Sequence, residues 1–417
     1  MTETGRSAIV IGAGIVGVSS ALHLQRHGFQ VTVVDRLAPG QGTSFGNAGV
    51  LGPSSIVPVP TPGIIKKIPK LLLDPKGPLF LRWSYLPKLL PWGLAYLASS
   101  RPQKVAHIVQ NLAALLGDCV EQHQDLARGT KAERWLQPCG YLFLFTDRQA
   151  FESDAYIWDL RREHGARWDI LEADELGDLV PGLGPNHRFG VLLRDHGMIT
   201  NPGAYVNDLA EHFAAQGGTI ERAEVTELDG NTDGAVSLTT TKGRLTADVL
   251  VVAAGAWSHR LTEQLGIKIP LESERGYHIE LQDPSVVPKV PVMVADGKFV
   301  ATPMSGGLRL AGLAEFGGLD APASTRPIRL LLKRARELFP GLTYSAHREW
   351  MGHRPSTPDS LPVIGPAPGR PNIFFAFGHQ HVGLMSGAKT GRLVADLAAG
   401  GKPNIDLAPF RAERFAS

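Results

Sequence analysis

The residues best suited to do chemistry lie close to the N-terminus. Gly12, Gly14 and Gly17 follow directly on an apolar, β-branched run at 7–11, with Ile15 and Val16 set among them. Small and apolar residues continue at helical spacing (Val18, Ala21, Leu22, Leu24) as far as Gly28. A second apolar run at 31–34 ends on Asp35 and Arg36. This pattern predicts a strand, a glycine turn, a helix and a second strand. In such a unit the first glycine permits a tight turn and the second lets the backbone approach a pyrophosphate. The third lets the helix pack close to the strand. The helix N-terminus offers unpaired N–H groups and the positive end of its dipole to phosphates. Asp35 can accept hydrogen bonds from ribose hydroxyls. The chemistry implied is dinucleotide binding, carried by the whole unit more than by its three glycines.

The unit leaves open which dinucleotide binds. After Arg36 comes a polar loop of small residues at 39–49, with Thr43, Ser44, Asn47, Ala48 and Gly49. A nicotinamide dehydrogenase usually continues into another helix there. Free N–H groups and hydroxyls suit a flavin, whose ring and pyrophosphate both need backbone contacts. An ordinary surface loop is the other reading.

The elements that must position these residues follow from pattern and composition. The chain has 417 residues, enough for two or three domains and a sizeable core. Lys and Arg number 42 against 40 Asp and Glu, a balance that gives no electrostatic case for nucleic acid. Cys119 and Cys139 are too few for a disulfide framework and lack a metal spacing, so a reduced compartment is expected. The first strand leaves no room before it for a secretory leader. Helices are expected at 103–128, 148–164, 172–180, 328–338 and 382–399. Another is expected at 202–215, capped by Asn201 with Pro202 at its first position. Strands are expected at 140–146, 190–199, 219–227, 248–253, 272–281 and 373–376, with meander strands over 292–311. A turn is expected at 195–197, and irregular chain at 53–78 and in the tail from Trp350. The small-residue turn Gly255-Ala256-Trp257 follows a buried strand, as where a dinucleotide sheet meets its cofactor again. The cofactor domain is therefore discontinuous, at 1–55, 200–262 and 345–417, with a second domain at 56–199 and 263–344.

Residues 79–97 are rich in Leu and aromatics but carry Arg82 and Lys88 and are broken by Pro87 and Pro91. That excludes a good membrane-spanning helix. Two readings remain: helices packed in the core beside the site, or an amphipathic patch touching a membrane surface through Trp83, Tyr85 and Trp92.

Taken together, VIGAGIVGVSSALHL with VVDR (10–36), TSFGNAG (43–49), VVAAGAWS (251–258), RGY (275–277), GHRPSTPDSLPVIG (352–365) and GHQHVG (378–383) resemble the FAD-dependent D-amino-acid oxidase family. Within it the bacterial D-amino-acid dehydrogenases are most similar. The resemblance implies an α/β, two-domain (α+β) fold: a Rossmann-like FAD domain of the glutathione-reductase type and a substrate domain on an antiparallel sheet. It places Gly12, Gly14, Ile15, Val16 and Gly17 on the pyrophosphate, Asp35 and Arg36 at the ribose, and Thr43 and Ser44 at the phosphates. Asn47, Ala48 and Gly49 lie along the flavin, and Val225, Gly255 and Trp257 on the adenosine side. Gly378, Val382, Gly383 and Leu384 bring a helix N-terminus to the flavin, where its dipole would favour the negative charge of reduction. Arg354 matches the family's substrate-carboxylate arginine. Tyr277 and His379 are further catalytic candidates, with His278, His353 and His381 behind them. No cysteine follows Cys139, so the FAD is expected to be non-covalent; no metal is expected. His278 stands where the dehydrogenase branch usually has Ser or Thr, so the pocket is expected to differ.

The implied reaction is oxidation of a D-amino acid to a 2-oxo acid and ammonia, with hydride moving from Cα to flavin N5 and electrons passing to a quinone or other carrier. The partners are then a small carboxylate-bearing amine, that acceptor and a peripheral membrane contact, with no nucleic acid. The location is cytoplasmic, or peripheral on the inner face of the cell membrane. Alternatives are oxidation of a secondary or cyclic amino acid, 2-hydroxy-acid oxidoreduction, and a non-catalytic flavin-binding subunit. The residues do not decide D against L preference.

Overall fold

The computed structural model describes residues 5–66, 68, 74, 77–229 and 234–416. Ser7–Ile11 lies at the centre of a six-stranded sheet because its Ala8, Ile9, Val10 and Ile11 are apolar on both faces and both faces are covered. Across the sheet the order is Val363–Ala367, Arg370–Phe377, Val249–Val252, Ser7–Ile11, Gln30–Asp35 and Thr219–Arg222. All neighbours are parallel except the first pair. One face packs on the helices Ile15–Arg26, Pro202–Ala215 and Gly383–Ala398. The other packs on an antiparallel three-stranded sheet, Val225–Asp229, Val236–Thr240 and Gly243–Ala247, and on the helix Ser258–Gln264.

A larger mixed sheet forms the second body. Its path runs Ala346–Ser356, Glu272–Gln282, Gly307–Phe316, Phe299–Met304, Val292–Val294, Leu136–Phe145, Phe189–Ile199 and Val50–Leu51. Leu79–Leu81 and Trp168–Glu172 pair beside that path. One face buries Ile279, Leu281, Leu308 and Leu310 under the amphipathic helix Thr325–Leu338. The opposite face looks toward the loop at 43–49. Glu272–Gln282 was expected to be half-buried, and it is buried on both sides for this reason.

Several expected elements divide. The helix at 103–128 breaks at Gly117 into Pro102–Leu116 and Cys119–Ala127, and that at 148–164 into Arg148–Glu152 and Ala155–Glu163. The strand at 219–227 splits at Ala223, whose N–H bonds to the Asp35 carbonyl as the chain changes sheets. The turn at 195–197 is absent: Phe189–Ile199 stays extended through its long pairing with Leu136–Phe145 and absorbs a register shift instead. The tail beyond Trp350 is not irregular, because Ala346–Ser356 pairs along all of Glu272–Gln282. That puts 346–356 in the larger sheet, whereas the expected boundary fell at 345. Helices within 102–127, expected with the second domain, bury Val105, Ile108, Leu112 and Leu115 in the core shared with Ile15–Arg26 and Gly383–Ala398. The described part of 53–63 is turns and extended chain. Residues 67, 69–73, 75 and 76 of that stretch lie outside the described residues.

The 79–97 segment follows neither of its two readings whole. The helix Leu86–Ala98 buries Trp92, whose Nε1 donates to the Ser356 carbonyl at 3.0 Å. Tyr85 donates to the Glu272 carboxylate. Trp83, Leu90 and Leu94 are 60%, 54% and 60% exposed. Among the described residues no helix is long and apolar enough to cross a membrane.

Candidate active site

The glycine turn is shaped by contacts that admit no side chain. Gly12 has φ +111°, and a Cβ there would lie 2.3 Å from the Ala253 carbonyl oxygen; one on Gly17 would lie 1.8 Å from that of Gly12. The backbone is thus bare at the start of Ile15–Arg26, whose N-cap residue is Gly14. Ser44 Oγ accepts from the Ile15 N–H at 3.0 Å, which ties the 43–49 loop to that helix end. Asp35 takes two backbone donors, Ala13 N–H at 2.7 Å and Leu37 N–H at 2.8 Å. Each carboxylate oxygen keeps a further lone pair for a hydroxyl. Arg36 lies over the Trp257 ring at 4.2 Å, and Gly255 opens the turn that carries Trp257. Val225 stands where the chain leaves the end of Gln30–Asp35 to begin the three-stranded sheet.

The helix Gly383–Ala398 packs along Ile15–Arg26, and Gly391 makes this possible: a Cβ there would come within 2.5 Å of the Ser19 backbone. Val382 is the N-cap of that helix and offers no side-chain cap to Gly383, Leu384 and the rest of its first turn. Gly378, with φ +84°, turns the chain from Arg370–Phe377 toward it.

The loop at 43–49 crosses the open face of the larger sheet and is pinned at every step. Thr43 Oγ1 donates to the His353 carbonyl at 2.8 Å. His278 Nδ1 meets the Gly46 carbonyl at 3.0 Å, and its ring stacks on Trp350. Arg309 donates to the carbonyls of Phe45 and Asn47 while paired with Glu280. Thr302 Oγ1 donates to the Ala48 carbonyl at 2.9 Å, and Asn47 Oδ1 accepts from the Gly49 N–H. Sequence reasoning missed Arg309, Glu280, Thr302 and Trp350. The signal for them is a strand register that only distant pairing defines.

Arg354 sits on this same face, opposite Glu274 on the neighbouring strand. Its Nη1 donates to Glu274 Oε1 at 2.8 Å and to the Leu313 carbonyl at 2.9 Å. His381 Nε2 lies 2.8 Å from the same Glu274 oxygen. Burial alone would push the Glu274 carboxyl up, but the charges and hydrogen bonds of His381 and Arg354 outweigh it and hold the group down at about 2. The expected histidine, His379, is elsewhere. It is buried with Nε2 3.1 Å from Thr390 Oγ1, and burial pulls its pKa down to about 3, so it is a neutral core residue. Tyr277 also faces away, because alternate residues of a strand point to opposite sides. It donates to Glu315 at 2.5 Å beneath Thr325–Leu338 and accepts from the Ser324 N–H. Arg275, next but one before it, is fully buried and holds the 317–322 turn through four carbonyls. The RGY motif is thus a structural buttress, and its neighbours Glu274 and His278 face the site.

This arrangement has a bare phosphate turn, a loop held against a sheet face and an arginine on that face. Residues 7–397 match the family described as DAO, FAD dependent oxidoreductase. The chain belongs to this family of FAD-dependent oxidoreductases. A D-amino-acid oxidase of Bradyrhizobium diazoefficiens is 42% identical to it, over 99% of both chains. A D-amino acid dehydrogenase of Paramagnetospirillum magneticum is 31% identical, over 98% of this chain and 99% of the other. The crystal structure of glycine oxidase from Geobacillus kaustophilus has the same fold, with a TM-score of 0.75, 24% identity and coverage of 98% and 99%. FAD is the cofactor of this oxidoreductase, and the side-chain-free turn at Gly12–Gly17 with Asp35 beside it fits the pyrophosphate and ribose of that group.

Proposed function

We propose that this oxidoreductase deaminates D-amino acids oxidatively, yielding a 2-oxo acid and ammonia. The observation that carries the reading is Arg354, paired with Glu274, which in turn meets His381, on the sheet face toward which the 43–49 loop and the Gly383–Ala398 helix converge. Nη1 is committed to Glu274 and Leu313 and Nη2 makes one long contact, 3.5 Å, to the Gly312 carbonyl, which leaves Nε and the second Nη2 hydrogen for a substrate carboxylate. A planar fork against a carboxylate fixes orientation as well as position. Glu274 balances the guanidinium charge and fixes its plane, so the fork is oriented before substrate arrives. FAD, when bound, supplies the two-electron acceptor for the hydride leaving Cα. The amine must lose its proton as well, and the resulting imine hydrolyses in water. The D preference rests on the similarity to the D-amino-acid oxidase and the D-amino acid dehydrogenase named above. The test is anaerobic bleaching of the flavin against a panel of D- and L-amino, N-alkyl and 2-hydroxy acids: D-amino acids should bleach it fastest. Bleaching by 2-hydroxy acids alone would replace this reading.

For the electrons we propose a quinone or similar carrier reached at a membrane surface, with the chain attached peripherally. Trp83, Leu86, Leu90 and Leu94 form an exposed apolar row at helical spacing, of the kind that lies in a lipid interface. Molecular oxygen is the second reading, favoured by the oxidase name of the 42% identical relative.

A further inference from the structure

The ring of His381 is the open one among the histidines of this site. Its side chain is 40% exposed, and among the described residues no hydrogen bond engages its Nδ1. His278, His353 and His379 bond to Gly46, Ser273 and Thr390, and burial holds the three down at about 3, 4 and 3. The turn that carries His381 is kept at a cost. Gln380 before it takes φ +47°, a left-handed conformation that favours glycine, and its side-chain amide donates to the Thr357 carbonyl at 3.1 Å. The turn sends His379 inward and brings His381 back over the sheet face to Glu274.

His381 Nε2 and Arg354 Nη1 each lie 2.8 Å from the same Glu274 oxygen, so they are at most twice that distance apart. The α-amine of an amino acid is two bonds from its carboxylate carbon. A carboxylate seated on the open edge of Arg354 therefore brings that amine within range of the His381 ring, which is the geometric requirement for a proton acceptor. Nε2, turned to a carboxylate, carries the ring hydrogen, and Nδ1 is left with the lone pair. Glu274, held at about 2, stays an anion, so it fixes the ring and balances the charge the ring gains on protonation. The other charged and titratable groups facing this point are Arg354 and, from the Leu86–Ala98 helix, Tyr96, whose hydroxyl burial and the Glu274 charge keep un-ionised.

We infer that His381 is the base that takes the proton from the substrate ammonium before hydride leaves Cα. This rests on oxidative deamination being the reaction. The ammonium N–H bond breaks, its electron pair stays on nitrogen and the proton goes to Nδ1. That pair then forms the C=N bond as the Cα–H pair departs as hydride to the flavin. The test compares wild-type holoenzyme with His381→Gln on D-alanine and on trifluoro-D-alanine, whose fluorines make its amine far less basic. In mildly alkaline buffer the first arrives as the ammonium and the second largely as the neutral amine. His381→Gln should lower the second-order rate of anaerobic flavin reduction about a hundredfold for D-alanine and less than about threefold for the trifluoro compound. Equal losses on both, or no loss on D-alanine, overturn the inference. FAD content and melting temperature report folding, and His381→Asn replaces the glutamine variant if that does not fold. A second readout needs no turnover: α-aminoisobutyrate has no Cα–H, and its binding is read by perturbation of the flavin spectrum. Its dissociation constant in the wild type should rise about tenfold per pH unit once the imidazole is already protonated, and stay level there in His381→Gln. If the wild type reduces its flavin with neither substrate, the proposed reaction has failed instead, and binding decides alone. The same pH dependence in both proteins, or no binding by the wild type, then overturns the assignment of His381.

Discussion

Replacing Arg354 by Met is the most informative single change, because the structure gives it two separable consequences. The first is loss of the carboxylate fork. A charge-assisted bidentate contact is worth about 3 kcal/mol, so the second-order rate of flavin reduction by a D-amino acid should fall by about two decades. The second is the stranding of Glu274, whose carboxylate is buried and would keep His381 as its remaining partner. Breaking a buried ion pair costs about 3–5 kcal/mol, and the surviving histidine contact places this case toward the lower end. The double change Arg354→Met with Glu274→Gln removes the stranded charge. It should recover most of the lost melting temperature and none of the lost rate. Stopped-flow reduction under nitrogen and thermal unfolding read the two separately. An unchanged rate in a folded Arg354→Met protein would show that the arginine only braces the sheet. A rate regained in the double variant would assign the defect to the unpaired glutamate.

Tyr277→Phe should destabilise the protein by about 1–3 kcal/mol by removing a donor from buried Glu315, with flavin reduction little changed. A large rate loss at unchanged stability would put Tyr277 in the site after all. His123, His196, His278 and His379 are buried, and burial holds their pKa at about 4, 4, 3 and 3 instead of 6.5. A depressed folded pKa leaves stability intact above 6.5 and removes it as pH falls toward the folded values. Each ring therefore costs about 1.4 kcal/mol per pH unit in that window. Melting temperature should drop steeply between pH 6.5 and 4.5, and a flat profile there would mean the rings protonate in place. Changing Trp83, Leu90 and Leu94 to polar residues should reduce co-sedimentation with anionic liposomes and turnover with a quinone analogue, but not anaerobic reduction by substrate. Fast peroxide formation in air, unaffected by these changes, would favour oxygen as the acceptor.

The N-terminal unit was legible because its signals are local. Apolar periodicity, Gly12, Gly17 and the stop at Asp35 each act within a few residues. The cap at Asn201 was legible for the same reason, and its side chain accepts from the Ala204 N–H. Arg354 was found through its flanking motif, but its partner Glu274 was not. That pairing exists only because two strands some 80 residues apart run antiparallel in one register. The same distance effect hid the strand Ala346–Ser356, whose His, Arg, Glu and Gly residues carry little strand propensity of their own. Tyr277 and His379 misled because adjacency to a motif does not say which face a side chain takes. One residue along a strand reverses it, so Glu274 and His278 occupy the face expected for Tyr277. His381, and not His379, lies against Glu274, because the chain turns between them and sends the earlier ring inward to Thr390.

The central claim is tested most directly by the products of a single anaerobic turnover. The FAD-loaded protein is mixed with either enantiomer of one amino acid, and flavin reduction, 2-oxo acid and ammonia are measured together. The D enantiomer should give one 2-oxo acid and one ammonia for each flavin reduced, and the L enantiomer should give neither. Reduction without ammonia, or equal yields from both enantiomers, would contradict the account.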